Sequence, residues 1–190
     1  MLPVNGKRPS ARTSWAGGLS GSRRDGLIST LAAASVAAHL LESTLPGFGP
    51  LFKLGLANVF TLVAFAVVGW SGAVAVSLIR VVAGALASGS FLGPTFLMSL
   101  AGALGALLAL RLVSLAGERL GPVGASLAAS LAHMLAQVVM AYLVVVGHVG
   151  VFGLLPWLLG MSWGTGILNG LLAERILATL ARHREMLEAP

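Results

Sequence analysis

Residues 123–147 read VGASLAASLAHMLAQVVMAYLVVVG, an apolar run with no Asp, Glu, Lys or Arg. A helix needs about 20 mainly apolar residues to cross the hydrocarbon core of a bilayer, and this run exceeds that. A soluble helix of the same length would carry a charged face. Its most polar members, His133 and Gln137, fall near its middle, where lipid makes polar groups expensive. The run therefore reads as a membrane span that holds polar groups inside the bilayer.

The same texture continues on both sides. Spans are predicted near 27–45, 53–70, 72–89, 94–115, 123–147 and 151–178. Breakers separate them: Pro46, Gly47, Gly49 and Pro50; Trp70, Ser71 and Gly72; Gly89 to Pro94; Gly117 to Pro122; Gly147 to Gly150. The second and third spans are short and the turn at Trp70 is tight, so a five-span reading stays open. Charged residues make up 9% of the chain and hydrophobic ones 57%. A soluble domain carries about a quarter charged residues, so a water-facing surface cannot be built from this composition. The fold class expected is an all-α integral membrane bundle of about six transmembrane helices.

Residues 1–26 are different in kind. Lys7, Arg8, Arg12, Arg23 and Arg24 sit among Gly, Ser and Pro, which reads as a disordered basic tail. The expected organisation is this tail, a transmembrane domain over 27–180, and a short second tail over 181–190. The first apolar stretch is followed by a polar loop and further spans, so no signal-peptide cleavage is expected. Lys and Arg in short loops mark the cytoplasmic side. Six spans with the N-terminus inside leave ten of the 12 basic residues, all but Lys53 and Arg80, in the cytoplasm, together with both chain ends. The net charge of +6 is thus a matter of topology and anionic lipid rather than of nucleic acid. The expected location is the bacterial cytoplasmic (inner) membrane, crossed several times.

Ionisable groups inside a span are functional candidates by default. His39 and Glu42 sit near the outer end of the first span, and Lys53 and Asn58 open the second from the same side. Arg80 lies mid-way along the third, and His133 and Gln137 mid-way along the fifth. All fall in the middle and outer half, which suggests a polar pocket open to the outside. The inner half has few such groups, mainly Asn169 and Glu174. At 100° per residue, Ser35, His39 and Glu42 share one face of the first span, with Ala33 and Ala37 opposite. Ser126, Ser130, His133, Gln137 and Met140 form one stripe of the fifth, with Leu131 and Leu135 behind. Polar side chains of this kind also cross-link helices, at about 0.6–2 kcal/mol each, and Glu42 with Lys53 reads equally as an interfacial ion pair. Arg80 needs a carboxylate or a bound anion, and Glu42 is the one acid on its side. Small-residue pairs such as Ala34/Ala38, Gly102/Ala106, Gly160/Gly164 and Gly166/Gly170 read as close helix packing.

Some chemistry has no residues to carry it. No G-x-x-x-x-G-K-[ST] loop occurs, so ATP is not bound in that way. Asp25 is the single aspartate, so no Asp-rich motif exists to hold magnesium diphosphate. Absent cysteine excludes disulfides, zinc-thiolate sites and iron–sulfur clusters. GMSWG at 160–164 matches the nucleophile-elbow pattern, but that motif needs a strand-to-helix turn and Ser162 is predicted inside a helix. No catalytic residue, metal site or cofactor is expected.

HLLESTLP at 39–46, KLGLANVFTL at 53–62, RVVAGALASGSFLGPTFLMSLAG at 80–102 and AHMLAQ at 132–137 together resemble the Gx transporter family, also labelled heptaprenyl diphosphate synthase component I. Such proteins look like the substrate-binding S components of energy-coupling-factor (ECF) transporters. The resemblance implies a six-helix membrane protein that captures a scarce nutrient outside. It implies three further subunits as partners: a transmembrane coupling subunit and two ATPase subunits. It also implies that an A-x-x-x-A face of the first helix meets the coupling subunit, through Ala33 and Ala37, or in the other register through Ala34 and Ala38.

The expectation is a capture subunit for a small anionic or polar-headed compound, a nutrient or an isoprenoid or quinone precursor. Lys53, Arg80 and His133 would supply positive or donor groups, while His39, Glu42, Asn58 and Gln137 would complete the site. The alternative is a non-catalytic membrane partner of prenyl diphosphate synthesis.

Overall fold

The computed structural model describes residues 21–44, 55–115 and 120–188. Six α-helices account for most of them: α1 (Gly21–Thr44), α2 (Ala57–Val67), α3 (Trp70–Ala87), α4 (Pro94–Leu115), α5 (Pro122–Ala141) and α6 (Leu155–Glu188). No strand occurs among the described residues. α4 and α5 begin on Pro94 and Pro122, where a fixed φ suits the first turn and the missing N–H has no intrahelical partner to lose. α2 passes to α3 through Gly69 at φ 91°, a conformation that a side chain would strain. α5 ends through one π turn, Tyr142–Val146, closed by Gly147 at φ 62°, whose N–H donates to the Tyr142 carbonyl at 2.9 Å. A 3-10 segment, Val149–Leu154, follows and is capped by His148, whose Nδ1 accepts from the Gly150 N–H at 3.0 Å.

α1, α2 and α3 pack on one another, while α5 packs on both α4 and α6. The two triplets meet through α3 with α4 and through α2 with α6. One apolar cluster joins Val63, Val67, Leu110, Val113, Ala125 and Ala173. Leu27 from the start of α1, Trp70 from the start of α3, and Ile176 and Leu180 from late in α6 pack against it. These three regions therefore share one end of the bundle, as an even number of passes requires.

Five helices are long and apolar enough to cross a membrane; α2 is the shorter exception. Its 11 residues extend about 16 Å, roughly half the hydrocarbon core. The expected second span over 53–70 is thus shorter where described, starting at Ala57. The cause is enclosure: Ala57, Val59, Thr61, Leu62, Val63, Ala64, Phe65 and Val67 are all buried, so α2 needs no lipid-matching length. α1 starts at Gly21, inside the stretch read from sequence as disordered tail, with Arg23 and Arg24 on its first turns. Arg24 donates to the Ser71 hydroxyl, which ties that turn to the start of α3. α6 likewise runs to Glu188, through the predicted second tail, because LLAERILATLARHREMLE is rich in strong helix formers.

The outer surface is apolar. Leu104, Leu108, Leu112 and Leu115 stand exposed along α4; Ile79, Val82 and Leu86 along α3; Leu135 and Val139 along α5. A water-soluble monomer rarely exposes contiguous patches of this kind beyond a few hundred Å². Lipid satisfies them, and the chain is a multi-pass membrane protein.

Candidate binding cavity

The polar residues gather at the other end of the bundle from that apolar cluster. Ser35 is fully buried on α1 and donates to the Ala57 carbonyl at 2.9 Å, joining α1 to the start of α2. One turn further on, His39 packs on α3 at Gly84, where an added Cβ would come within 2.5 Å of its ring. Glu42 is buried, and its Oε1 accepts the Leu56 N–H at 2.5 Å. A carboxylate placed there meets the unpaired N–H groups and positive dipole end of α2.

α5 supplies the facing wall. His133 and Gln137 lie against Gly102 of α4, where an added Cβ would sit 2.6 Å from the His133 ring and 2.9 Å from Gln137 Cγ. Gly105 lets α4 approach the α5 backbone, with Ala132 O 2.7 Å from where its Cβ would be. Gly166 and Gly170 do the same between α6 and α5. Of the predicted small-residue pairs, Gly166/Gly170 thus packs internally, whereas Gly160 and Gly164 have nothing within 4 Å.

Between these walls lies a small cavity of about 50 Å³ that is partly open to the outside of the bundle. His39, Glu42, Asn58, Arg80, His133 and Gln137 all line it. Six residues chosen from four predicted spans therefore meet at one place. Lys53, the seventh, lies outside the described residues. His39 and Ser99 are shared with an adjoining cavity lined also by Ser43, Ser88, Ser90 and Thr95, so hydroxyl groups continue from the cavity between α1, α3 and α4.

Ser130, on the predicted polar stripe of α5, also lines the cavity, and so do residues that the sequence does not single out for it: Ser99 from α4, and Ser162, Thr165 and Asn169 from α6. Asn169 corrects an expectation. It was assigned to the inner half, yet its Nδ2 donates to the Gly55 carbonyl at 3.1 Å and it lies at the cavity beside Asn58. Position within a presumed span was the wrong guide; a nearly fully buried amide, 1% exposed, was the signal. Ser162 is inside α6, as predicted, and it too faces the cavity.

Arg80 is 6% exposed. Its Nε and Nη2 are buried without a hydrogen-bond partner among the described residues, as are His133 Nδ1 and Asn169 Oδ1. Glu42 is the acid whose charge acts on Arg80. His39, Glu42 and His133 share the cavity, but among the described residues no three His, Asp or Glu side chains are grouped closely enough to hold a metal ion.

On α1 the opposite face is small and outward. Ala33 and Ala37 are exposed while Ala34 and Ala38 are half-buried, so the first pair presents the smooth face and the second borders the packing.

Residues 31–176, from mid-α1 to late α6, match the model of a family described as heptaprenyl diphosphate synthase component I. The chain belongs to that family. Membership covers every element that lines the cavity and leaves out only the two ends. A comparison with curated proteins returns no match. Among solved structures, the S component of a bacterial ECF transporter is similar, with a TM-score of 0.56 and 18% sequence identity over 90% of this chain and 100% of that one. At that identity the likeness establishes the fold: this member of the family has the architecture of an S component.

Proposed function

We propose that the chain is the substrate-capture subunit of an ECF-type importer in the bacterial inner membrane, taking up a small nutrient or an isoprenoid- or quinone-precursor-like compound from outside. The observation that carries this reading is the convergence of His39, Glu42, Asn58, Arg80, His133 and Gln137 on one cavity. It lies at the end opposite the apolar cluster that holds the starts of α1 and α3. Basic residues on the first turns of α1 and late in α6 make that apolar end cytoplasmic by the positive-inside rule, so the cavity opens outward. The chain has no Walker loop, so energy comes from partners: a transmembrane coupling subunit and two ATPase subunits. The exposed Ala33 and Ala37 offer a face without bulk for the coupling subunit.

The family description favours a second reading, a non-catalytic membrane partner of prenyl diphosphate synthesis. With Asp25 the single aspartate, the magnesium chemistry would then belong to another protein. The two readings separate on co-purification. Ala33→Trp and Ala37→Trp are expected to keep ligand binding and lose the ATPase-containing complex. Normal recovery of that complex with both variants would make the face lipid-exposed only. Recovery of a soluble prenyl diphosphate synthase, with no ATPase, would favour the second reading.

A further inference from the structure

The unpartnered nitrogens of Arg80 are Nε and Nη2, which lie on the same edge of the guanidinium. Their N–H bonds point in parallel, the fork that matches the two oxygens of a carboxylate or phosphate. An ionised side chain this deeply buried costs several kcal/mol unless something compensates it. Glu42 supplies charge but is committed through Oε1 to the Leu56 N–H. The amide of Asn169 is oriented by its donation to the Gly55 carbonyl, which leaves Oδ1, buried and unpartnered among the described residues, as an acceptor lining the same cavity. Resting on the capture-subunit reading, we infer that the substrate is a small organic monoanion whose carboxylate-like group takes the Nε–Nη2 edge of Arg80 and whose hydroxyl or amine donates to Asn169 Oδ1.

The lining limits what else fits. Beyond Gly55 and Met134, its side chains are all polar: Ser99, Ser130, Ser162 and Thr165 join the residues already described. A prenyl chain buries a long apolar surface, and Met134 is the one large apolar side chain that the described lining offers it. A diphosphate brings several negative charges against Arg80, the one permanent cation among the described lining residues, with the Glu42 carboxylate lining the same cavity. A monoanion balances Arg80, and the surrounding hydroxyls serve its remaining polar atoms. Arg80 and Asn169 then divide recognition between them, the first reading charge and shape and the second reading a donor.

The test uses the purified full chain in lipid nanodiscs and follows its melting temperature against probe concentration at constant ionic strength. Probes are acetate, the hydroxy acids glycolate and lactate, inorganic diphosphate and farnesol, with chloride as reference. The expected result is stabilisation by acetate, stronger stabilisation by at least one hydroxy acid, and none by farnesol or diphosphate. Arg80→Lys keeps the charge but loses the fork, and should raise the concentration needed by about ten- to hundredfold. Asn169→Leu should leave the acetate response and erase the advantage of the hydroxy acid; it decides the matter if Arg80→Lys does not fold. Carboxylates indistinguishable from chloride, diphosphate or farnesol ranking first, or variants with unchanged responses would each overturn the inference. Partners play no part in this measurement. Failure here beside an intact ATPase complex therefore rejects the ligand class alone, and success here without such a complex rejects the capture-subunit reading alone.

Discussion

At the scale of single residues, the cavity depends on what is missing as much as on what is present. Gly102 has no side chain, and His133 and Gln137 use that space. Gly102→Ala places a methyl group within 2.6 Å of the His133 ring, a separation that forces the ring to move. Ligand affinity is expected to fall about tenfold or more, equivalent to at least about 1.4 kcal/mol, with the melting temperature of the ligand-free chain changed little. Calorimetric titration of both forms checks this, and unchanged affinity would remove His133 from the site. His133, Gln137 and Arg80 were legible in the sequence because each is a costly group in an apolar run. Ser99, Ser162 and Thr165 were not selected, since a hydroxyl in a membrane helix can satisfy itself on its own backbone and so carries little signal. Asn169 was visible as a polar residue but assigned to the wrong half, because its partner, the Gly55 carbonyl, is 114 residues away in the chain.

At the scale of elements, α4, α5 and α6 are held at short range by glycine. Gly105 faces the Ala132 carbonyl and Gly170 faces the Val123 Cα at 2.6 Å, so any Cβ there meets backbone, which cannot rotate away. Gly170→Val is expected to destabilise the bundle by about 1–3 kcal/mol through overpacking, lowering the melting temperature by several degrees in nanodiscs. Gly160→Val, at a position with nothing within 4 Å, is the matched control and should leave it unchanged. A reversed order would mean that α6 packs with its other face. Helix starts at Pro94 and Pro122 were readable from the breakers themselves. The length of α2 was not, because hydropathy reports how apolar a segment is and not whether lipid or protein surrounds it. That α1 is already helical at Gly21 was hidden for a related reason: GSRRDG has polar and basic residues that suggest a tail, while the helix beyond it sets their conformation.

At the scale of the whole molecule, the bundle is divided into an apolar end and a polar end, and the account requires the polar end to face outward. The chain has no native cysteine, so single cysteines report sidedness directly. Ser90→Cys, beside the cavity that adjoins the site, should react with a membrane-impermeant maleimide on intact cells. Arg182→Cys, late in α6, should react only after the membrane is opened. The opposite pattern would invert the topology and with it the direction of capture. The bundle of about six helices, the polar faces of α1 and α5 and the apolar outer surface were all foreseeable, because each follows from periodicity and charge. Which polar atoms lack partners was not, since that depends on contacts between helices.

The most direct test of the central claim is native mass spectrometry of the gently purified full chain, which weighs the small molecule and the proteins that accompany it. The expected spectrum holds a bound compound of low mass carrying one anionic group, absent from the Arg80→Gln form, in a complex that includes ATPase subunits. A chain without ligand, accompanied by a soluble prenyl diphosphate synthase and no ATPase, would contradict it and make the polar cluster a means of holding the helices together.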